Sequence, residues 1–403
     1  MDDVSRIKLP RSKKVWELET QQLGIGNKTI HDLSLPSASK LKYEHYLLLR
    51  VLWTAKKSPR FVAKDFGLED ELEEAREILK QYPDWAQYYK SFDRNIGEDE
   101  SFPHLGTFSL VRYQQRQIEK VQDKDPETEP NVTVSPTPSP RRTRGRMKRA
   151  EIPSLDQRMQ NIQLENPAEG ASKYQGTPEI LDFPGSDSEE SNDIVLFSYS
   201  PAAKEAESTL YPRAKDEQIV NAALLQYMNA LTIHFPFFND WTLHRRAFSA
   251  QFKASSLKAR TDGYLEDRSS SKVRAIVEVK PYIRSIGGQA VRMQEAAQMV
   301  GWISDDKQRP KRSPGRHLLV SQDRHEIYLT FAEYKEEYLK YLKGELADDD
   351  PAPFLRMREF GPWDIKERKH MKQLGEIILA FTIRADKDRK EEESQSASQG
   401  KAM

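Results

Sequence analysis

Thr261-Asp262-Gly263 and Glu278-Val279-Lys280 are the two stretches whose reading decides the fold. Each lies in or beside an apolar β-rich run, and together they read as partners in one hairpin. In a strand, residues two apart share a face, so Glu278 and Lys280 point the same way. Pro281 has no N–H to give to a ladder and puts both at the strand's end. The polar stretch 266–272 reads as a turn centred near Ser269. Simple pairing about that centre puts Asp262 across from about Ile276, near Glu278 and on its face. Asp262 is followed by Gly263, where a bend or bulge could bring the backbone close to a ligand.

Two carboxylates at that separation repel unless a cation lies between them. Hard oxygen ligands with open water positions suit Mg²⁺ or Mn²⁺. Asp262 and Glu278 are the candidate metal ligands, with the Val279 carbonyl as a third. Lys280 is placed to position or deprotonate a water and to stabilise charge building on a phosphodiester. A helix over 288–303 follows. Gln294 and Gln298 fall four apart on one line of it, among Ala290, Val291, Met293, Ala296, Ala297, Met299 and Val300. Amides so placed need partners if buried. A phosphate, a metal-bound water or Lys280 would serve. Glu217 is a further candidate acid, and Arg260 and Arg284 are candidate nucleic-acid contacts.

A plainer reading stands beside this one. Acid-x-Lys tripeptides recur at Glu333-Tyr334-Lys335, Asp364-Ile365-Lys366 and Glu367-Arg368-Lys369. Only the 278–280 copy ends an apolar run behind a partner strand that carries an acid. Its bland alternative is a solvated cross-strand charge set, and that of the glutamine pair is ordinary helix surface. The eight histidines show no ligand spacing, and Gly287-Gly288 reads as a helix lead-in rather than a phosphate loop.

Composition sets outer bounds. The 403 residues contain no cysteine, which excludes disulfides, thiolate zinc sites and cysteine nucleophiles. Mean hydropathy is −0.79 and 31% of residues are charged, too polar for the full length to pack as core. Net charge is zero, yet residues 211–345 hold 22 Lys and Arg against 16 Asp and Glu, an excess of six. That excess permits a phosphate backbone as partner. The N-terminus lacks a signal-peptide apolar core, and no apolar run nears the roughly 20 residues needed to span a bilayer. An intracellular protein is expected.

Along the chain, residues 1–36 read as a disordered polar arm and 37–121 as a helical N-terminal region, including 46–53. Residues 122–205 read as a disordered Pro/Ser/Arg-rich linker. Its Arg141-Arg142-Thr143-Arg144-Gly145-Arg146-Met147-Lys148-Arg149 reads as a nuclear-import or nucleic-acid patch, or as a bare solvated charge run. Its Ser/Thr-Pro sites and Ser186-Asp187-Ser188-Glu189-Glu190 resemble phosphorylation sites. Residues 206–385 read as an α/β domain: a buried helix over 216–235, strands at 243–252, 257–265 and 273–279, the helix over 288–303, a hairpin at 317–331, and helices at 334–343 and 364–383. Residues 386–403 read as a disordered charged tail.

Five stretches in order resemble the fungal PD-(D/E)XK nuclease-like domain proteins. They are Asp216-Glu217-Gln218-Ile219-Val220-Asn221, Trp241-Thr242-Leu243-His244-Arg245, Ala259-Arg260-Thr261-Asp262-Gly263-Tyr264-Leu265, Glu278-Val279-Lys280-Pro281 and Met293-Gln294-Glu295-Ala296-Ala297-Gln298-Met299-Val300-Gly301-Trp302-Ile303. The resemblance covers about 205–385. It implies a restriction-endonuclease-like core, a central mixed sheet flanked by helices. Asp262, Glu278 and Lys280 fall in that superfamily's acid, acid and lysine positions, and Gln294 or Gln298 matches a glutamine that some branches carry on the next helix. Thr261 stands where the pattern has proline. The implied activity is Mg²⁺-dependent phosphodiester hydrolysis, in DNA more readily than RNA, by a nuclear protein and possible homodimer. The alternative is an inactive module of the same fold serving as a nucleic-acid or protein scaffold.

Overall fold

All eight residues of Val273–Lys280 are buried, which requires cover on both faces of the strand. The computed structural model describes residues 8–94, 101–119, 217–305, 317–346 and 352–400. Its elements run α1 (Lys13–Gln22), α2 (Tyr43–Leu48), β1 (Val51–Lys56), α3 (Glu69–Gln81), α4 (Pro83–Lys90), α5 (Ser109–Glu119), α6 (Glu217–Thr232), β2 (Asn239–Thr242), β3 (Arg246–Gln251), β4 (Ser256–Thr261), β5 (Gly263–Asp267), β6 (Val273–Lys280), α7 (Arg284–Ser304), β7 (His317–Asp323), β8 (Glu326–Glu333), α8 (Glu336–Lys343), β9 (Leu355–Asp364) and α9 (Arg368–Gly400).

Among the described residues, seven strands form a mixed sheet in the order β1-β9-β8-β7-β6-β5-β2. The β1–β9 and β6–β7 pairs are parallel. The other four are antiparallel. This is an α/β fold whose sheet is flanked by helices. The period of two in β6 divides its residues between two cores. Ala275, Val277 and Val279 face Leu224 and Met228 of α6 and Leu374 and Ile378 of α9. Ile276 faces the other way, with Ala296, Ala297 and Val300 of α7 and the inner side of a β3–β4 ribbon.

The hairpin around the acids differs from simple pairing. Tyr264 lies opposite Ile276 and Gly263 opposite Val277, with a bulge at Leu265/Glu266. Asp262 therefore reaches Val277 and Glu278 rather than Ile276, and its N–H donates to the Val277 carbonyl at 2.9 Å. The bulge and a longer turn shift the register. The 257–265 run is also two strands, not one. β4 pairs with β3 in the ribbon, β5 enters the main sheet, and Asp262 is the bend between them.

Three organisational expectations are corrected. Residues 8–36 are not a disordered arm, because several of their apolar side chains dock, although Val15, Leu18 and Leu23 stay exposed. Trp16, Ile25 and Ile30 are buried, and the Trp16 indole N–H donates to the Leu47 carbonyl at 2.7 Å. The N-terminal region is not purely helical, since Val51-Leu52-Trp53 lies in β1 at the sheet's edge. Its pattern of continuous burial looks alike in a short strand and a buried helix. The tail is not disordered through 400, because α9 continues to Gly400. Among the described residues, Glu392 of this segment accepts from Arg274 at 3.1 Å. The linker at 122–205 lies outside the described residues. No described helix is long and apolar enough to cross a membrane.

Candidate active site

At the end of β6 the chain brings Asp262, Glu278, Lys280, Gln294 and Gln298 together. Glu278 and Lys280 share the sheet face that α7 covers. Lys280 Nζ donates to Glu278 Oε1 at 2.6 Å, and both side chains are at most 5% exposed. α7 carries the two glutamines over that face. Gln294 Nε2 donates to Glu278 Oε1 at 2.6 Å, and Gln298 Nε2 donates to Glu278 Oε2 at 2.5 Å and to the Arg260 carbonyl at 2.8 Å. The amides thus serve the acid itself rather than Lys280.

Asp262 is fixed from three directions. Its Oδ2 accepts from the Val279 N–H at 3.2 Å. Its carbonyl accepts from Asn221 Nδ2 of α6 at 3.1 Å. Its Oδ1 faces the Arg245 guanidinium at 3.1 Å, a half-exposed cation just before β3. Glu217, at the start of α6, lies 4.0 Å from the same guanidinium. Arg245 belongs to a motif noted in the sequence, but nothing there singled it out as a partner for Asp262.

The electrostatics follow from burial and charge count. Burial pushes the Glu278 carboxyl well up, and the Asp262 charge adds to that against the pull of Lys280. Burial alone would lower Lys280, but Glu278, Glu217 and Asp262 outweigh it and hold the ammonium well above its usual range. Lys280 is therefore a fixed cation rather than a base. Glu217, Asp262 and Glu278 gather three carboxyl groups beside two cations, Lys280 and Arg245.

The donor chemistry is the test for a divalent ion. No three acidic or imidazole side chains among the described residues are arranged as a preformed metal cage. Two carboxylates supplemented by carbonyl oxygens and water are nevertheless a sufficient set for Mg²⁺. Gln294 Oε1 and Gln298 Oε1 are buried without a hydrogen-bond partner, so the site has oxygen acceptors to spare. The residues fit such an ion in donor type.

Arg284 is not a phosphate contact. It is 3% exposed and bonds Asp323 at 2.5 Å, Glu359 at 2.8 Å, Ser321 at 2.8 Å and Glu295. Arg292 also bonds Glu359 at 2.7 Å, and the Trp53 indole N–H donates to it at 3.1 Å. Ser321 and Asp323 are the β7 register partners of Glu278 and Lys280. A buried ionic layer therefore adjoins the site on the same sheet face. Sequence reading missed it because Glu359 and Trp53 come from strands far away in the chain. Arg260 keeps an exposed side chain.

No family model matches the chain, no curated protein is similar to it, and no solved structure matches its fold.

Proposed function

We propose that the chain is a Mg²⁺- or Mn²⁺-dependent nuclease with a restriction-endonuclease-like core, its centre formed by Asp262, Glu278 and Lys280. The observation that carries this reading is the convergence of those residues with Gln294 and Gln298 at the end of one buried strand. Asp262, Glu278 and the Val279 carbonyl would hold the ion, which supplies a bound water of lowered pKa and positive charge against a phosphodiester. Lys280, held protonated, stabilises the negative charge that develops on the phosphate oxygens as the P–O bond breaks. Gln294 and Gln298 hold both oxygens of Glu278, so that the carboxylate presents one geometry. DNA remains the favoured substrate, and a nuclear location and a homodimer belong to the same reading.

The second reading is a binding scaffold that keeps the fold without cutting. The Arg245–Asp262 ion pair favours it, since a cation of the chain itself occupies part of the acid pair. Thermal melting of the full chain with 5 mM Mn²⁺ (a working concentration of about that order) separates the two. The nuclease predicts a rise in melting temperature that disappears in Asp262→Ala. A scaffold predicts no metal-dependent rise in either protein.

A further inference from the structure

Beside this centre stands a cation that nothing so far explains. Arg324 is the first residue of the two-residue turn joining β7 to β8, between the register pair Asp323 and Glu326. It is 5% exposed, and its Nε is buried without a hydrogen-bond partner. Other arginines with an orphaned Nε each have compensation: Arg274 bonds Asp267, Arg112 bonds Glu119, Arg358 bonds Glu333, Arg389 bonds Glu393. Arg50 stacks 4.0 Å over the Tyr341 ring. Among the described residues, Arg324 alone of this group has neither acid nor ring. Burial lowers its pKa and no acid raises it back, yet a guanidinium does not deprotonate in proteins. A largely buried charge with no acid beside it is unfavourable.

The backbone shows that the residue is held there against its preference. Arg324 has φ +56°, at a turn position that favours Gly, Asn or Asp. Its N–H donates to the Lys280 carbonyl at 2.8 Å, and its carbonyl accepts from Gln322 Nε2 at 2.6 Å. The turn is thereby tied to the last residue of β6, the strand that carries Glu278 and Lys280.

We propose that Arg324 is an anion-binding residue that takes a phosphate group of the nucleic-acid strand presented to Lys280. The assignment to a strand rests on the nuclease reading, whereas the assignment to an anion does not. The missing counter-charge is supplied by the ligand, and the αL turn keeps the guanidinium where the strand passes the end of β6.

The test uses the full chain, Arg324→Met, Arg324→Gly (which also relaxes the turn), Arg324→Lys and, as a separate control, Glu278→Gln. Inorganic phosphate is expected to raise the melting temperature of the unsubstituted chain and of Arg324→Lys. It leaves Arg324→Met and Arg324→Gly unmoved, although both fold at least as stably without phosphate. A 20-nucleotide single strand without terminal phosphate, about one protein footprint long, is expected to bind Arg324→Met roughly tenfold more weakly. No phosphate effect on the unsubstituted chain, or an equal effect in Arg324→Met, overturns the anion site. A phosphate effect lost in Arg324→Met with oligonucleotide binding unchanged overturns the strand assignment and leaves a site for free phosphate. If Glu278→Gln and the unsubstituted chain are equally inactive while the Arg324 effects hold, the nuclease reading fails and the anion site stands.

Discussion

Glu278 is the residue on which the candidate centre turns, because three donors converge on its two oxygens inside a buried layer. Removing one partner of a buried ion pair leaves the other uncompensated, at about 3–5 kcal/mol, whereas removing both is often close to neutral. Lys280→Met and Glu278→Gln should each lower stability in urea unfolding by about 3 kcal/mol, and the double variant should regain most of it. Strictly additive losses would contradict a coupled pair. The neighbouring ionic layer gives a pH signature. Burial alone would raise Glu359, but Arg284 and Arg292 outweigh it and hold it at about 2. A depressed carboxyl stabilises the fold above its unfolded pKa near 4.5, and that contribution is lost as pH falls toward 2. Glu295 runs the other way. Burial pushes it up to about 7 against the pull of Arg284, so its contribution is full below about 4.5 and is lost as pH rises through 7. Glu295→Gln should therefore flatten the stability profile between pH 5 and 8, measured by urea midpoints at each pH.

At the scale of elements, the site depends on how closely β5, α6 and β2 approach. A Cβ on Gly263 would stand 2.7 Å from the Thr242 carbonyl and 3.0 Å from a Leu225 methyl. A backbone oxygen cannot swing aside, so Gly263→Ala should cost about 1–3 kcal/mol, as overpacking does. It should also weaken Mn²⁺ binding by shifting the adjacent Asp262. Calorimetric titration with a melting curve checks both, and unchanged affinity would detach the bend from the site. The Asp-Gly step was visible in the sequence as a place of close approach. The neighbour turned out to be the chain's own β2 carbonyl, which no local pattern specifies. The same limit explains the rest. The apolar run and Pro281 made β6 and its acid-lysine end legible, and helical spacing gave both glutamines. The bulge and longer turn that together move Asp262 by two positions, the Arg245 pairing and the burial of Arg284 arise from contacts between distant segments, which single-sequence periodicity does not carry.

At the scale of the molecule, residues 9–66 contribute to the core that supports the site. β1 supplies the edge partner of β9, Trp53 reaches Glu359, and Phe66 stacks on Phe331 with ring centroids 4.0 Å apart. At the other end, Asp386 accepts from the Phe238 N–H at 3.0 Å and Glu392 holds Arg274. A fragment limited to 206–385 should therefore lack a cooperative thermal transition, followed by circular dichroism, while the full chain melts cooperatively. A fragment that melts cooperatively on its own would return 8–94 to the status of an appendage. The central claim is best tested on that full chain. Supercoiled DNA, linear DNA and RNA are each incubated with it and Mg²⁺ or Mn²⁺, beside Glu278→Gln and Lys280→Met. The account predicts cleavage of at least one substrate that requires the metal and falls at least a hundredfold, about 2.7 kcal/mol of barrier, in both variants. No cleavage by the folded chain with any substrate, or cleavage that survives in Glu278→Gln, would contradict it.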